Sequence, residues 1–143
     1  MDRRRAYLDS SAVLRRLLKH PDALTAFAKW DLVASDLMEV EALRTLYRVH
    51  SERGLSDDDL RERIADLRAT VAALVQFPIT KTVLIRASRP LPGNLKALDA
   101  IHLASALLWS EHYDEPIVMI THDRQLARVS RASGLEVYPP DMA

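Results

Sequence analysis

Apolar positions along the chain alternate between two rhythms. Ala6-Tyr7-Leu8, Leu32-Val33-Ala34, Ile117-Val118-Met119-Ile120 and Leu135-Glu136-Val137-Tyr138 are short runs that predict strands, and Phe77-Pro78-Ile79-Thr80 reads as a break or a very short strand. Between them the spacing turns helical. Ser10-Ser11 offers an N-cap for a helix through Leu17-Leu18, closed by His20-Pro21, and Asp22 to Trp30 reads as a second short helix. Ser35 caps a helix whose predicted buried stripe is Leu37, Val40, Leu43, Leu46 and Tyr47. Ser56, with three Asp in the first turn, starts a helix carrying Leu60, Ile64, Leu67, Val71, Leu74 and Val75, and Thr80 caps one through Ala87. Arg124 to Ala132 is a last helix, stopped by Gly134. Strands alternating with helices predict an α/β fold with a mainly parallel sheet covered on both faces.

One helix stands apart. Lys96 to Leu108 is apolar around most of its circumference, which predicts burial on nearly all sides, and Asp99 lies within it. A carboxylate among Leu98, Ala100, Ile101 and Leu103 needs a cation, an arginine or several donors. A first-turn Asp facing the helix dipole is the simpler alternative.

Composition narrows the chemistry. The 143 residues fit one domain, 1–143, and 48% hydrophobic with 28% charged residues is the balance of a globular protein. No apolar run approaches ~20 residues and the opening Met1 to Arg5 leads into a strand, so the expected compartment is the cytoplasm, with no membrane partner. Without cysteine there is no thiolate metal site and no cysteine nucleophile. Lys plus Arg equal Asp plus Glu at 20 each, so any nucleic-acid contact needs a local patch. Arg3 to Arg5, Arg86 with Arg89, and Arg124 with Arg128 and Arg131 are the candidates.

Asp9 and Asp123 each stand just past an apolar strand, where open parallel sheets bind ligands. Turn Asp residues are also common there. Together with Asp99 and Glu41 they make four carboxylates that could meet at one sheet edge. Spacing alone allows Glu41 to be half of a helix ion pair with Arg44. Crowded like charges require protons or divalent cations, and oxygen ligands without cysteine favour Mg²⁺ or Mn²⁺. Two such ions roughly 3.5 to 4 Å apart clamp the attacking and leaving oxygens of a displacement at phosphorus. An aspartyl-phosphate enzyme would instead use Asp9 as nucleophile, but the phosphatase version wants a second Asp where Ser11 stands.

Tyr7-Leu8-Asp9-Ser10-Ser11-Ala12, Ser35-Asp36-Leu37 followed by Glu41 and Arg44, Leu98-Asp99-Ala100-Ile101-His102-Leu103-Ala104, and Thr121-His122-Asp123-Arg124-Gln125-Leu126-Ala127 with Gly134 to Val137 carry a resemblance over essentially the whole length. In this order and spacing the chain resembles the PIN-domain ribonucleases, in particular the VapC-type toxins of toxin-antitoxin pairs. The resemblance implies a three-layer α/β/α sandwich around a parallel sheet of four or five strands. It implies Asp9 and Asp99 as principal ligands of Mg²⁺ or Mn²⁺, Asp123 completing the site directly or through water, and Glu41 binding a second ion or holding the attacking water. Glu39 competes with Glu41 by position, and the long segment from Trp109 to Pro116 precedes Asp123.

Ser11 and Thr121 are candidates to orient the carboxylates, with helix cap and strand-end turn as their alternatives. His102, one turn from Asp99, reads as a packing or hydrogen-bonding residue in preference to a general base; His122 has no assigned role. The implied activity is metal-dependent endoribonuclease, a toxin restrained by a small VapB-type antitoxin, with a homodimer expected. The alternative is a catalytically inactive PIN-like RNA- or protein-binding module.

Overall fold

Period-two alternation decides which layer each strand residue joins. The computed structural model describes residues 3–18 and 29–141. Its strands are β1 (Arg4–Leu8), β2 (Trp30–Ser35), β3 (Val75–Phe77), β4 (Val118–Ile120) and β5 (Glu136–Tyr138). Its helices are α1 (Ser10–Leu17), α2 (Leu37–Ser51), α3 (Asp57–Ala72), α4 (Lys81–Ala87), α5 (Ala97–Tyr113) and α6 (Arg124–Ala132). All four strand pairings are parallel and the order is β3-β2-β1-β4-β5.

Ala6, Leu8, Ala34, Val118 and Ile120 point to one face, where α1, α2 and α3 bring Val13, Leu17, Met38, Leu46 and Leu67. Tyr7, Val33, Met119 and Val137 point to the other, against Leu103, Ala106 and Trp109 of α5 and Leu126 and Val129 of α6. The result is the expected three-layer α/β/α sandwich. Because the chain steps outward from β1 through β2 to β3 and then returns to β4, the sheet's order reverses between β1 and β4. Their carboxyl ends open a crevice there.

Several local expectations are corrected. Trp30 opens β2 instead of ending a helix, while His20-Pro21 and most of the segment from Asp22 lie outside the described residues. The buried stripe of α2 is Met38, Ala42 and Leu46; Val40 is 57% and Tyr47 43% exposed. Two apolar stripes satisfy the same spacing, and the one containing small Ala42 lets the helix approach the sheet closely. Val75 leaves α3 to begin the edge strand β3. Helix α5 is not buried all round at its start: Leu98 is 46% exposed, and Asp99 lies in the half-open first turn. Asp9, not Ser10-Ser11, occupies the N-cap position of α1, yet its side chain makes no capping bond. That carboxylate is used elsewhere.

Candidate metal centre

Asp9 is placed by β1, whose register against β4 is held by parallel pairing and, one residue on, by the Asp9 N–H donating to the Ile120 carbonyl at 3.1 Å. The carboxylate is buried, at 2% exposure, at the crevice. Its Oδ2 accepts from the Ser11 hydroxyl at 2.6 Å and from the Thr121 hydroxyl at 2.8 Å. Those hydroxyls are themselves aimed by the loop after β4: the His122 N–H donates to Ser11 Oγ at 2.9 Å and the Asp123 N–H to Thr121 Oγ1 at 3.0 Å. Oδ2 therefore holds two hydroxyl donors and is fixed in place. Oδ1 accepts a long bond from the Ser10 hydroxyl at 3.5 Å and lies 3.7 Å from His102 Nε2.

Asp99 reaches the crevice from the first turn of α5. Burial, then the charges of Asp123 and Asp9, push its carboxyl up from 3.8 to about 6, with Glu41 adding to the rise and His102 opposing it. Asp99 thus feels the charges of the other three acids. Asp123 is the N-cap of α6: its Oδ1 accepts from the Leu126 N–H at 2.8 Å, so one of its oxygens performs the ordinary task of a turn Asp. It still lines, with Asp99, Asn94, Leu95, Lys96 and Gln125, an open pocket of about 480 Å³. A larger pocket of about 610 Å³ lies at the opposite, amino-terminal edge of the sheet beside Arg3, Trp30 and Asp31, away from this chemistry.

Glu41 comes from α2, on the other side of the sheet from α5, and bonds His102 Nε2 instead of its helix neighbour Arg44. Asp9, Glu41 and His102 each offer a ligand atom, all within 4.8 Å of one another. Crowded carboxylates, one of them holding its proton to about pH 6, and a donor set dominated by hard oxygens fit a divalent cation. Two hydroxyls tying down one oxygen of a candidate ligand are the outer support such sites use. Ser11→Ala together with Thr121→Val should therefore weaken Mn²⁺ binding by roughly 10- to 100-fold, measured by titration calorimetry, with little change in the circular dichroism spectrum.

The basic candidates separate. Arg4 pairs with Glu136, Arg5 lies 4.0 Å from Glu115 and over the Trp109 ring, and Arg86 makes a two-pronged pair with Glu111 at 2.8 Å. Arg124 and Arg128 are exposed on α6, the helix that Asp123 caps. Sequence spacing singled out neither Tyr7 nor its contact with His102. Tyr7 sits fully buried under the site with its hydroxyl 2.7 Å from His102 Nδ1. The strand alternation that turns Tyr7 toward the α5 layer was the available signal.

An acid cluster at the switch point of a parallel α/β/α sandwich defines a class of metal-binding folds. The family model for the PIN domain matches residues 6–132, and the chain belongs to the PIN-domain family, in its VapC-type ribonuclease group. It is 32% identical over 138 residues to Ribonuclease VapC46 of Mycobacterium tuberculosis, covering 94% of this chain and 96% of the relative. Identity to Ribonuclease VapC47 of the same species is 29% over 134 residues, again 94% and 96% of the two chains. Among solved structures, a toxin-antitoxin complex from Klebsiella pneumoniae superposes with a TM-score of 0.64 at 17% identity, over 96% of this chain and 99% of that one, which shows the shared fold.

Proposed function

We propose that the protein is a divalent-metal-dependent endoribonuclease that hydrolyses RNA phosphodiester bonds and acts as the toxin of a toxin-antitoxin pair. What supports this reading is that Asp9, Glu41 and His102 offer ligand atoms within 4.8 Å of one another, that Asp99 and Asp123 line one pocket, and that the charges of Asp123, Asp9 and Glu41 raise the Asp99 carboxyl. Relatives named as ribonucleases support the substrate, and the fold shared with the toxin-antitoxin complex from Klebsiella pneumoniae supports an antitoxin partner, for which a VapB-type protein is the expectation. The further expectations are a cytoplasmic protein and a homodimer. Among the described residues no helix is long and apolar enough to cross a membrane.

Asp9 Oδ1 and Asp99 would hold Mg²⁺ or Mn²⁺, with Asp123 completing the site and Glu41 holding a second ion or the attacking water. When bound, the ions acidify water and neutralise charge building on the phosphoryl oxygens. Asp99 must give up its proton for this, so metal affinity should fall as pH drops through about 6. Lys96 lines the pocket with Asp99 and Asp123, and Arg124 and Arg128 are exposed on the helix that Asp123 caps; these three would contact phosphates flanking the scissile one. Alanine at Arg124 and Arg128 should weaken RNA binding evenly across sequences and lower the slope of log affinity against log salt by about one per residue, read by filter binding at graded salt.

The direct test is to incubate purified protein with total cellular RNA, with and without Mg²⁺, and map the new ends. Discrete metal-dependent ends support the reading. Intact RNA at every divalent concentration would overturn it in favour of an inactive binding module, and equal cutting in EDTA would overturn the metal dependence.

A further inference from the structure

His102 is a buried imidazole at this site, and its surroundings give it a task. It is fully buried on α5, one turn beyond Asp99. Nδ1 lies 2.7 Å from the Tyr7 hydroxyl and Nε2 bonds Glu41 Oε1, so both ring nitrogens are engaged and the ring cannot flip without losing two bonds. Tyr7 is itself fully buried, its ring edge-on to the imidazole at 5.7 Å between centroids. Burial pushes the Tyr7 phenol up, against hydrogen bonding from Ser35 and Ser105, so it stays a neutral hydroxyl, able to donate or accept.

That property makes the arrangement independent of the charge on His102. A neutral ring accepts from the phenol at Nδ1 and carries its proton on Nε2; a charged ring donates from both nitrogens. In either case an N–H at Nε2 faces Glu41.

Glu41 needs such an anchor. It hangs from α2 in the layer opposite α5, on three rotatable bonds, with its side chain 18% exposed and like charges nearby. The bond to His102 is the one side-chain hydrogen bond it receives among the described residues. Left alone, the carboxylate would swing toward solvent, away from Asp9 and Asp99. We propose that His102, braced from behind by Tyr7, is the positioning residue that bridges the two helical layers and holds Glu41 in register with Asp9 and Asp99. This rests on the reading of those acids as a metal centre, and His102 acts through Glu41, not on RNA.

The test combines a metal-free readout with a kinetic one. In long-range ¹H–¹⁵N spectra of the metal-free wild type, Nε2 should show a protonated-nitrogen shift that moves on Glu41→Gln, and Tyr7→Phe should displace the Nδ1 signal. His102→Phe should raise the Mn²⁺ concentration for half-saturation, followed by electron paramagnetic resonance without RNA, by roughly 10- to 100-fold. It should lower kcat comparably with KM for RNA unchanged. His102→Gln, whose amide N–H can reach Glu41, should recover much of the loss and guards against a Phe variant that fails to fold.

In a Glu41→Gln background, His102→Phe should do nothing more. Additive losses in that cycle, an unprotonated Nε2 in the wild type, or nitrogen coupling from the ring in the Mn²⁺ spectrum would overturn the proposal; the last would make His102 a ligand. A wild type that binds no Mn²⁺ would defeat the metal-centre reading, while the metal-free spectra would still report on the Tyr7–His102–Glu41 bonds.

Discussion

Asp99→Asn is expected to eliminate metal-dependent RNA cleavage and, at the same time, to raise the melting temperature of the metal-free protein at neutral pH. Moving this carboxyl from 3.8 to about 6 disfavours its charged form by about 3 kcal/mol at 1.36 kcal/mol per decade, which half exposure screens to about 1 to 2 kcal/mol. The sign follows from proton counting. Between those two values the folded protein holds a proton on Asp99 that the unfolded chain has released, so the contribution of Asp99 to stability is fully present below 3.8 and is lost as pH rises through about 6. Asparagine cannot ionise, so the variant loses that slope and melts a few degrees higher at pH 7 in EDTA. Mg²⁺ should raise the melting temperature of the wild type and leave the variant unmoved. Differential scanning calorimetry across pH 4 to 8, with and without metal, reads both effects; a variant that melts lower than wild type in EDTA would contradict the crowding of acids on which the site rests.

Asp9→Asn is expected to cost at least roughly a thousandfold in kcat/KM, several kcal/mol of stabilisation, with the fold retained. Asparagine matches the shape of the carboxylate. Its carbonyl oxygen can keep both bonds from Ser11 and Thr121, so the strap between β1 and the loop after β4 survives. The amide nitrogen then takes the place of Oδ1, turning a negative acceptor into a donor where a cation would sit. Single-turnover cleavage of a defined RNA measures the loss, and near-wild-type activity would remove Asp9 from the centre of the chemistry.

The fold was legible because its signals are local. Runs such as Ile117 to Ile120 between helical spacings demand buried parallel strands, and Asp9 and Asp123 following two of them point to one edge of the sheet. Caps were equally readable: Ser56 accepts from the Asp59 N–H and Thr80 from the Val83 N–H as their positions require. What spacing does not encode is which of two overlapping stripes turns inward: Leu46 is buried as expected, but Met38 and Ala42 are buried with it while Val40 and Tyr47 face solvent. Nor does it encode depth. Asp99 belongs to an apolar helix yet lies in the turn that opens onto the crevice, because the helix begins only at Ala97. The tie from Tyr7 through His102 to Glu41 joins three elements distant in sequence and becomes visible only when the sheet has brought them together.

The most direct measurement is the anomalous scattering of Mn²⁺ diffused into crystals of the protein. Density is expected in the crevice between β1 and β4, within coordination distance of Asp9 Oδ1 and the Asp99 carboxylate and absent in Asp9→Asn. Full-occupancy Mn²⁺ elsewhere, with these two side chains bare, would contradict the assignment of the site.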